Sequence, residues 1–470
     1  MKNKKLLLIK VDAIGDYILF RNFIKVLATS EKYKSYDIDF ICNISCYELS
    51  MQLDKNFISN FYSFDTTNFI ADEWYKYSLI QKLNFNAYNC IIHPTFSRNS
   101  FVDKLISKIN AKEKIGSIGD TSNISKKEKP MLDKFYTNLI DNINPIYQFE
   151  FERNKDFFNK LLNHKTSKDT SLYIDIKDNI NIPFNNYIII SISANKIQRK
   201  WGILNYVEIA TYLNTLGYEI VLCGGRKELN DSYVFEKNFN KNYINLVGKT
   251  TLIDSFTLVK NAYLTISNDT GIAHMSAATN TNTIVISNFN HFTRFFPYPE
   301  KYSHVYTICP YSFNNKKEHY QKQFYEGSNL NINLVSVEHI ISLLKNKIKI
   351  KRIENRLKVN YESFRPLQNE NVSIDFSKKY NKIFQQIQNL DEKNIILYGN
   401  GTIGKTIQKL IPKKIIGYVD ISNKDNHPEK LNKLKYDKIL ISVLGREEEI
   451  IDYLVNKIGV DEHKIISIEL

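Results

Sequence analysis

The feature that most constrains the fold is a repeated order of short apolar runs, tight turns and segments with helical spacing. The first run, Leu6–Val11, is followed by the turn Asp12–Asp16, and apolar residues then recur at helical spacing from Ile18 to Leu27. A short apolar run without polar alternation is typical of a parallel strand that is covered on both faces. Strand, turn and helix form the first part of a βαβ unit, so the sequence predicts an α/β fold with parallel sheets.

The same order recurs along the 470 residues and predicts two large α/β lobes. The expected strands lie at 38–42 and 89–94 in the first lobe and at 187–192, 217–223, 262–267 and 283–287 in the second. Residues 150–185 are polar and weakly patterned, which is typical of a connection between lobes. We therefore expect an amino-terminal lobe at 1–170 and a second lobe at 180–345. Two Rossmann-like lobes in succession, with the active site in the cleft between them, form the GT-B layout.

A third, smaller α/β domain is expected at 393–470, after a basic and polar linker at 346–392. Gly399, Gly401 and Gly404 form a G-x-G-x-x-G pattern between a strand and a helix, and Asp420 ends the next strand. Each of these residue types has a role in a dinucleotide site, so a bound nucleotide is one interpretation of the pattern. The favoured interpretation is a glycine turn that serves strand–helix packing in an accessory or oligomerisation domain. An oxidoreductase is not expected, because no substrate domain accompanies this unit.

Composition narrows the class of partner. Hydrophobic residues make up 43% of the chain, which excludes a disordered protein. The net charge of +14 favours anionic partners such as nucleotide phosphates, acidic glycolipid head groups or a membrane surface. Nucleic acid is not expected, because no recognisable binding motif accompanies the charge. A basic cluster at 345–358 fits either peripheral contact with anionic lipid or an edge strand with solvated lysines.

The cysteines indicate whether the protein has a metal site, and together with the apolar runs they indicate where in the cell it is located. The five cysteines show no paired metal-ligand spacing, and their odd number suits a reducing compartment. No signal peptide opens the chain, and no run approaches the ~18 apolar residues of a membrane span. We therefore expect a cytoplasmic protein, either free or peripheral at the cytoplasmic face of the inner membrane, without a metal site.

The run from Asn268 to His274 is the main candidate for phosphate binding. Gly271 permits close approach of backbone to a ligand, and the helix that follows begins with N–H groups that attract phosphate. His274 lies one helical turn further, on the same face as Thr270. The alternative is an ordinary helix cap in which Asp269 accepts backbone hydrogen bonds.

Four motifs in chain order resemble the heptosyltransferase family, glycosyltransferase family 9. Asn268–Gly271 with His274 and a following small-residue stretch is similar to that family's donor motif. Leu8–Lys10 with Ile14–Asp16, Arg199–Trp201, and Leu246–Leu252 resemble its amino-terminal turn, its basic-tryptophan motif and its glycine-lysine-threonine segment. The motifs extend over roughly residues 5–290, and together they form a specific match.

The resemblance implies a role for each matching residue. Asp16 would be the general base, with a helix N-cap as the alternative. Arg199 and Lys200 would contact the donor phosphates, or else lie on a solvated face. Thr270, Gly271 and His274 would hold the diphosphate, and Asp269 would bind the donor sugar. The resemblance also implies an ADP-heptose donor, inverting transfer, and no required cofactor or metal ion.

The sequence therefore predicts a glycosyltransferase that moves a sugar, heptose by resemblance, onto a cell-surface glycan or lipooligosaccharide. A proline usual in the family's first helix is missing from Tyr17–Phe23, which leaves the acceptor open. Two alternatives remain. The same fold would use another nucleotide sugar, a hexose or hexosamine, for capsule, lipopolysaccharide or protein glycosylation. Otherwise the chain would be a non-catalytic nucleotide-sensing scaffold.

Overall fold

The computed structural model describes residues 4–143, 145–163, 170–178, 180, 182, 186–194, 196–313, 316–353, 390–399, 404, 407–408, 411–421, 423–443 and 447–467. The chain divides into two compact units. The first comprises 1–65 and 82–367, and the second comprises 66–81 and 368–470. Gly401 and most of the predicted linker lie outside the described residues.

The amino-terminal part of the first unit contains a six-stranded parallel sheet in the order β3-β2-β1-β4-β5-β6. Its strands are β1 (Lys4–Lys10), β2 (Tyr36–Asn43), β3 (Asn60–Phe64), β4 (Tyr88–His93), β5 (Ala111–Ser117) and β6 (Asn138–Ile140). The helices along this stretch of chain are α1 (Ile14–Phe20), α2 (Asn22–Thr29), α3 (Tyr47–Asp54), α4 (Thr66–Ala71), α5 (Glu73–Phe85), α6 (Ser100–Lys108), α7 (Lys129–Asp133) and α8 (Glu150–Leu161). Of these, α4 and most of α5 belong to the second unit.

The second lobe of this unit repeats the plan with the order β12-β11-β10-β7-β8-β9, again parallel throughout. Its strands are β7 (Tyr187–Ser191), β8 (Glu219–Cys223), β9 (Ile244–Asn245), β10 (Leu264–Asn268), β11 (Thr283–Ile286) and β12 (Val305–Ile308). Its helices are α9 (Ile203–Thr215), α10 (Leu229–Asn238), α11 (Leu252–Asn261), α12 (Gly271–Ala278), α13 (Lys317–Phe324) and α14 (Val337–Leu343).

Both sheets have the Rossmann strand order, in which the chain reverses direction of travel across the sheet at one point. That switch point lies between β1 and β4 in the first lobe and between β7 and β10 in the second. Ligands of open parallel sheets bind outside the carboxyl ends of the strands at this point. The fold therefore places the first turn of α1, which contains Asp16, and the turn after β10, which contains Asp269, at the expected ligand-binding edges. The predicted GT-B class is confirmed.

The lobes meet through α1 and α12, which pack against each other. One apolar cluster is continuous across both lobes and includes Leu8, Phe20, Ile189 and Ala273. The contact is close because glycines take part on both sides. A Cβ on Gly271 would lie 3.0 Å from Ile14 Cγ2, so this position leaves little room for a larger residue.

The second unit contains a four-stranded parallel sheet in the order β14-β13-β15-β16. Its strands are β13 (Ile395–Tyr398), β14 (Ile415–Val419), β15 (Lys438–Ile441) and β16 (Ile465–Ser467), and α15 (Glu447–Tyr453) precedes the last strand. Within this unit Trp74 of α5 packs on Tyr453, with ring centroids 4.8 Å apart. The sheet is the third, small Rossmann-like domain expected from the sequence.

Candidate active site

Asp16 lies in the first turn of α1, directly beyond the carboxyl end of β1. Ala13 is the N-cap residue of α1, and no described side chain accepts a capping hydrogen bond there. Asp16 therefore does not serve as the helix cap that was the alternative to a catalytic role. Burial, and next the Asp12 carboxylate, raise the pKa of Asp16 to about 7. That value suits a general base at neutral pH.

An ion pair between the buried Lys10 and the half-buried Asp12 lies beside Asp16. Lys10 Nζ lies 2.7 Å from Asp12 Oδ2, and Thr95 Oγ1 donates to the same oxygen at 2.7 Å. Burial acts to raise the pKa of Asp12, but the Lys10 ammonium and these hydrogen bonds outweigh it and lower the pKa. Asp12 is therefore charged at neutral pH, and its negative charge opposes ionisation of Asp16.

A second charged pair links the two lobes near the same carboxylate. Arg294, which follows β11, donates from Nε to Glu150 Oε2 at 2.9 Å and from Nη1 to Ser97 Oγ at 2.7 Å. Glu150 acts to raise the pKa of Asp16, and Arg294 acts to lower it. No sequence pattern indicated Arg294 or Glu150. They are 144 positions apart, and only tertiary packing brings them together.

His274, on α12, is buried and electrically neutral. Burial lowers the pKa of His274 to about 3, so the ring carries no positive charge near neutral pH. Its Nδ1 lies 2.6 Å from the Tyr298 hydroxyl, and its ring stacks on Phe296 with centroids 4.7 Å apart. A Cβ on Gly15 would lie only 2.7 Å from His274 Cδ2, so the glycine before Asp16 allows the two lobes to touch.

Asp269 has the features of a ligand-binding carboxylate. It is 8% exposed, and its Oδ2 has no hydrogen-bond partner among the described residues. Burial raises the pKa of Asp269 to about 6, although the Arg199 charge acts in the opposite direction. The N-cap residue of α12 is Thr270, and no described side chain caps that helix. Asp269 is therefore not the helix cap that was its alternative role.

The three residues of the basic-tryptophan motif, Arg199–Trp201, lie in three different environments. Arg199 ends a short 3₁₀ turn, Ile197–Arg199, and lines an open cleft. Lys200 forms an ion pair with Asp231 of α10. Trp201 is buried, and its Nε1 donates to Val335 O at 2.8 Å. Of the two cations, Arg199 is thus the one in the cleft, whereas Lys200 has a protein partner.

The cleft beside Arg199 has a volume of about 980 Å³ and is lined from both lobes. Most of its lining side chains are amides or hydroxyls, and we call it the amide-rich cleft. These polar members are Ser122, Asn123, Gln198, Asn290, Gln323, Ser328 and Asn329. The remaining lining consists of Lys196, Arg199, His291, Phe324, Glu326, Gly327 and Leu330. No sequence motif indicated the segment 323–330.

Two glycines of the carboxyl-terminal pattern meet neighbouring atoms too closely for a side chain. A Cβ on Gly399, whose φ is +98°, would lie 2.6 Å from Val443 Cγ2. A Cβ on Gly404 would lie 2.4 Å from Gly399 O. Asp420 follows β14, and its N–H donates to Asn426 O at 2.8 Å. These contacts give the two glycines a packing role, and nucleotide binding by this domain stays a prediction.

The part of the chain that the structure describes contains no group of three or more His, Cys, Asp or Glu side chains arranged to hold a metal ion. It also contains no helix long and apolar enough to cross a membrane.

Comparison with known proteins assigns the chain to a family. Residues 77–324 match the family model described as glycosyltransferase family 9 (heptosyltransferase), a range that covers more than half of the 470 residues. The chain belongs to glycosyltransferase family 9. The family 9 match includes Arg199, Asp269 and His274, whereas Asp16 and the carboxyl-terminal domain lie outside the matched range.

A curated relative agrees with the family 9 assignment over a short stretch. Over 86 residues the chain is 29% identical to lipooligosaccharide heptosyltransferase 2 of Haemophilus influenzae. The aligned stretch covers 17% of this chain and spans a quarter of the relative's length.

Solved structures of a family 9 protein and of two heptosyltransferases share the fold. A glycosyl transferase family 9 protein from Veillonella parvula is 17% identical, with a TM-score of 0.57, and covers 74% of this chain and 97% of its own. The heptosyltransferase WaaC of E. coli, solved with ADP, is 13% identical to this chain, with a TM-score of 0.54. The match covers 73% of this chain and 99% of WaaC. The ADP-heptose lipopolysaccharide heptosyltransferase II of E. coli is 15% identical to this chain, with a TM-score of 0.52. The match covers 73% of this chain and 98% of the heptosyltransferase.

Proposed function

We propose that the protein transfers a heptosyl group from ADP-heptose to a hydroxyl of a cell-surface glycan or lipooligosaccharide, with inversion at the anomeric carbon and without a metal ion. Family membership supports sugar transfer, and similar structures were solved with ADP and with ADP-2-deoxy-2-fluoro heptose. The observation that carries the proposal is the presence of one carboxyl group on each lobe beyond the carboxyl end of a central strand, Asp16 after β1 and Asp269 after β10. Asp16 is poised to titrate near neutral pH, and Asp269 is buried with an unpartnered oxygen.

The donor would bind on the second lobe. The uncapped amino terminus of α12 and the Arg199 guanidinium supply positive potential for the diphosphate. Gly271 and Thr270 let the ligand approach the backbone at this turn. The Asp269 carboxyl would accept a hydrogen bond from a hydroxyl of the donor sugar. Neutral His274 would donate or accept a hydrogen bond, because it has no charge to offer.

The chemical step would be a direct displacement. The Asp16 carboxylate removes the proton from the acceptor hydroxyl as the oxygen forms a bond to the anomeric carbon. The bond from that carbon to the diphosphate oxygen breaks on the opposite face, and ADP leaves with the electron pair. One displacement inverts the anomeric configuration. The positive potential of Arg199 and α12 stabilises the negative charge that develops on the leaving diphosphate.

The proposed setting is the cytoplasmic face of the inner membrane. A glycolipid acceptor would be presented there, and the exposed Lys345, Lys347 and Lys349 would contact anionic lipid. Ile348, Ile350 and Ile353 pack against the core of the second lobe, so the lysines that alternate with them face outward.

The proposal is tested by incubating the full chain with ADP-heptose and a heptose-deficient lipooligosaccharide. Released ADP and the mass of the product are measured, and NMR assigns the anomeric configuration. We expect an inverted heptoside, formed at the same rate in excess EDTA. The Asp16→Asn variant should lose activity by about a hundredfold or more while its circular dichroism is unchanged.

Two controls separate the alternatives. Thermal shift with ADP and with UDP identifies the leaving nucleotide, because only the nucleotide that binds the folded state raises its melting temperature. Stabilisation by UDP alone would favour a hexosamine donor on the same fold. Binding of ADP without turnover of any nucleotide sugar would favour the nucleotide-sensing scaffold.

A further inference from the structure

A buried carboxyl group lies beside the helix that carries the proposed base. Asp54 is the last residue of α3 and is fully buried. The Tyr17 hydroxyl donates to Asp54 Oδ2 at 2.5 Å. Arg21 donates to Asp54 Oδ1 from Nε at 3.1 Å and from Nη2 at 2.6 Å. Tyr17 directly follows Asp16 in the chain, so these hydrogen bonds join α3 to the helix that carries the base.

Stability gives a poor account of a charged pair at this position. Burial raises the pKa of Asp54 and outweighs the opposing effects of Arg21 and Tyr17. The carboxyl group also lies at the carboxyl end of a helix, where the helix dipole disfavours negative charge. A buried ion pair is often no more stabilising than apolar residues of similar volume. What such a pair can add is a defined geometry between the elements that it joins.

The hydrogen bonds to Asp54 restrict α1 in two ways. Tyr17 and the C-cap residue Arg21 are four positions apart and both have helical neighbours, so their side chains lie on the same face of the helix. Successive residues are about 100° apart around a helix axis, so Asp16 points away from that face by about this angle. Donors from two successive turns that bind one carboxyl group oppose both sliding and rotation of the helix. Either movement would displace the carboxyl group of Asp16.

The contacts on the other side of α1 are of a different kind. Its amino terminus has no capping hydrogen bond from a described side chain. A Cβ on Gly15 would lie 2.7 Å from His274 Cδ2, and a Cβ on Gly271 would lie 3.0 Å from Ile14 Cγ2. Such van der Waals contacts set how near α1 and α12 can come, whereas hydrogen bonds also set direction. The hydrogen bonds at the far end of α1 therefore supply the directional part of its placement.

Arg21 extends the network beyond α3. Its Nη2 also donates to Leu53 O at 3.1 Å, and its Nη1 donates to Asn22 Oδ1 at 3.0 Å. Asn22 Nδ2 in turn donates to the carbonyl oxygens of Ser171 and Tyr173 at 2.7 and 2.9 Å. Residues 171–173 belong to the segment between the two lobes. The end of α1 is thus tied both to α3 and to that segment.

We propose that Asp54 is a positioning residue for sugar transfer, which acts through Tyr17 and Arg21 to hold α1 so that Asp16 faces the acceptor hydroxyl. This inference rests on the proposed function and adds a fully buried residue that acts through a helix rather than on a substrate. Displacement of a reacting group by about 1 Å can cost about a hundredfold in rate. Because the proposed donor contacts are on the second lobe, loss of this anchor should lower kcat and leave the KM for the donor unchanged.

The test compares two tyrosine hydroxyls that each donate to a buried aspartate in the same lobe. Tyr88 is the first residue of β4, at the amino ends of the strands, and its hydroxyl donates to Asp39 Oδ2 at 2.7 Å. Tyr17→Phe and Tyr88→Phe should both lower the melting temperature by about 2–4 °C. Only Tyr17→Phe should lower kcat for ADP-heptose, by about tenfold. Equal kcat values for the two variants contradict the positioning role.

A double-mutant cycle separates positioning of the base from a general loss of structure. In the Asp16→Asn background no base remains to be positioned, so adding Tyr17→Phe should change the residual kcat by less than about twofold. A further tenfold fall in that background would show that the substitution acts in another way, and it would overturn the proposal. Asp54→Asn keeps the shape of the side chain but removes its charge, and it should reproduce the pattern of Tyr17→Phe in both backgrounds.

Hydrogen exchange distinguishes failure of this inference from failure of the proposed function. Turnover by the unchanged protein that Tyr17→Phe leaves intact rejects the inference alone. If the unchanged protein turns over no nucleotide sugar, the transferase function is rejected, and the exchange of backbone amides then decides whether Asp54 holds α1. Amides of residues 14–20 should exchange about tenfold faster in Tyr17→Phe than in Tyr88→Phe. Equal exchange rates would show that Asp54 does not anchor the helix.

Discussion

Ionisation of Asp16 should set the acid limb of the pH–rate profile. With a pKa of about 7, the carboxylate that acts as base is present in about half of the molecules at pH 7 and in about one hundredth at pH 5. We therefore expect kcat/KM to fall about tenfold for each pH unit below the inflection, because this parameter reports the pKa values of the free enzyme. The assay is ADP release from ADP-heptose between pH 5 and pH 9 in buffers of constant ionic strength.

Two charge substitutions should move this inflection in opposite directions. Arg294→Met removes a positive charge that lowers the pKa of Asp16, so the inflection should move to higher pH by about one pH unit. Asp12→Asn removes a negative charge that raises the pKa, so the inflection should move to lower pH by a similar amount. Arg294→Lys keeps the charge and should keep the inflection near 7.

The exposed Arg352→Met provides a matched control for Arg294→Met, because it makes the same substitution on a solvated part of the chain. Circular dichroism of each variant checks that the fold is retained. If Arg294→Met and Asp12→Asn leave the inflection unchanged, or shift it in the same direction, Asp16 is not the group that titrates and its assignment as the base fails.

Three further predictions concern binding and packing. Arg199→Ala should raise the KM for the donor about tenfold or more, whereas Lys200→Ala, which breaks the ion pair with Asp231, should change it much less; steady-state kinetics with ADP-heptose compares them, and equal effects would contradict the assignment. Gly15→Ala should lower the melting temperature and cost about 1–3 kcal/mol because the new Cβ meets His274, while Gly417→Ala, whose Cβ has no neighbour within 4 Å, should be tolerated; calorimetry separates the two. Replacing Lys345, Lys347 and Lys349 with Gln should weaken co-sedimentation with anionic vesicles by about fivefold for each lysine, and unchanged sedimentation would exclude the proposed lipid contact.

The strands that are buried along their whole length could be predicted from sequence. The apolar runs at 187–192 and 283–287 agree with β7 and β11 within one residue, and both strands are buried throughout. β5 was not predicted, because its first residues, Ala111–Lys114, are partly or fully exposed and read as polar. The helix α8 was also missed. Residues 150–185 read as a weakly patterned connection, yet α8 buries Phe151, Phe157 and Phe158 and provides Glu150 and Arg153.

The sequence alone determined the two features on which the fold and the proposed chemistry depend. Apolar runs and glycine–aspartate turns are local patterns, so they identified the parallel strands and placed Asp16 and Asp269 beyond strand ends. Only the tertiary structure decided which charges surround Asp16, which of Arg199 and Lys200 is in the cleft, and which amides line it. The physical reason is that pKa values and hydrogen-bond partners depend on desolvation and on distances through space. Glu150 and Arg294 are 144 positions apart in the chain, and they are neighbours only because the two lobes pack against each other in the folded protein.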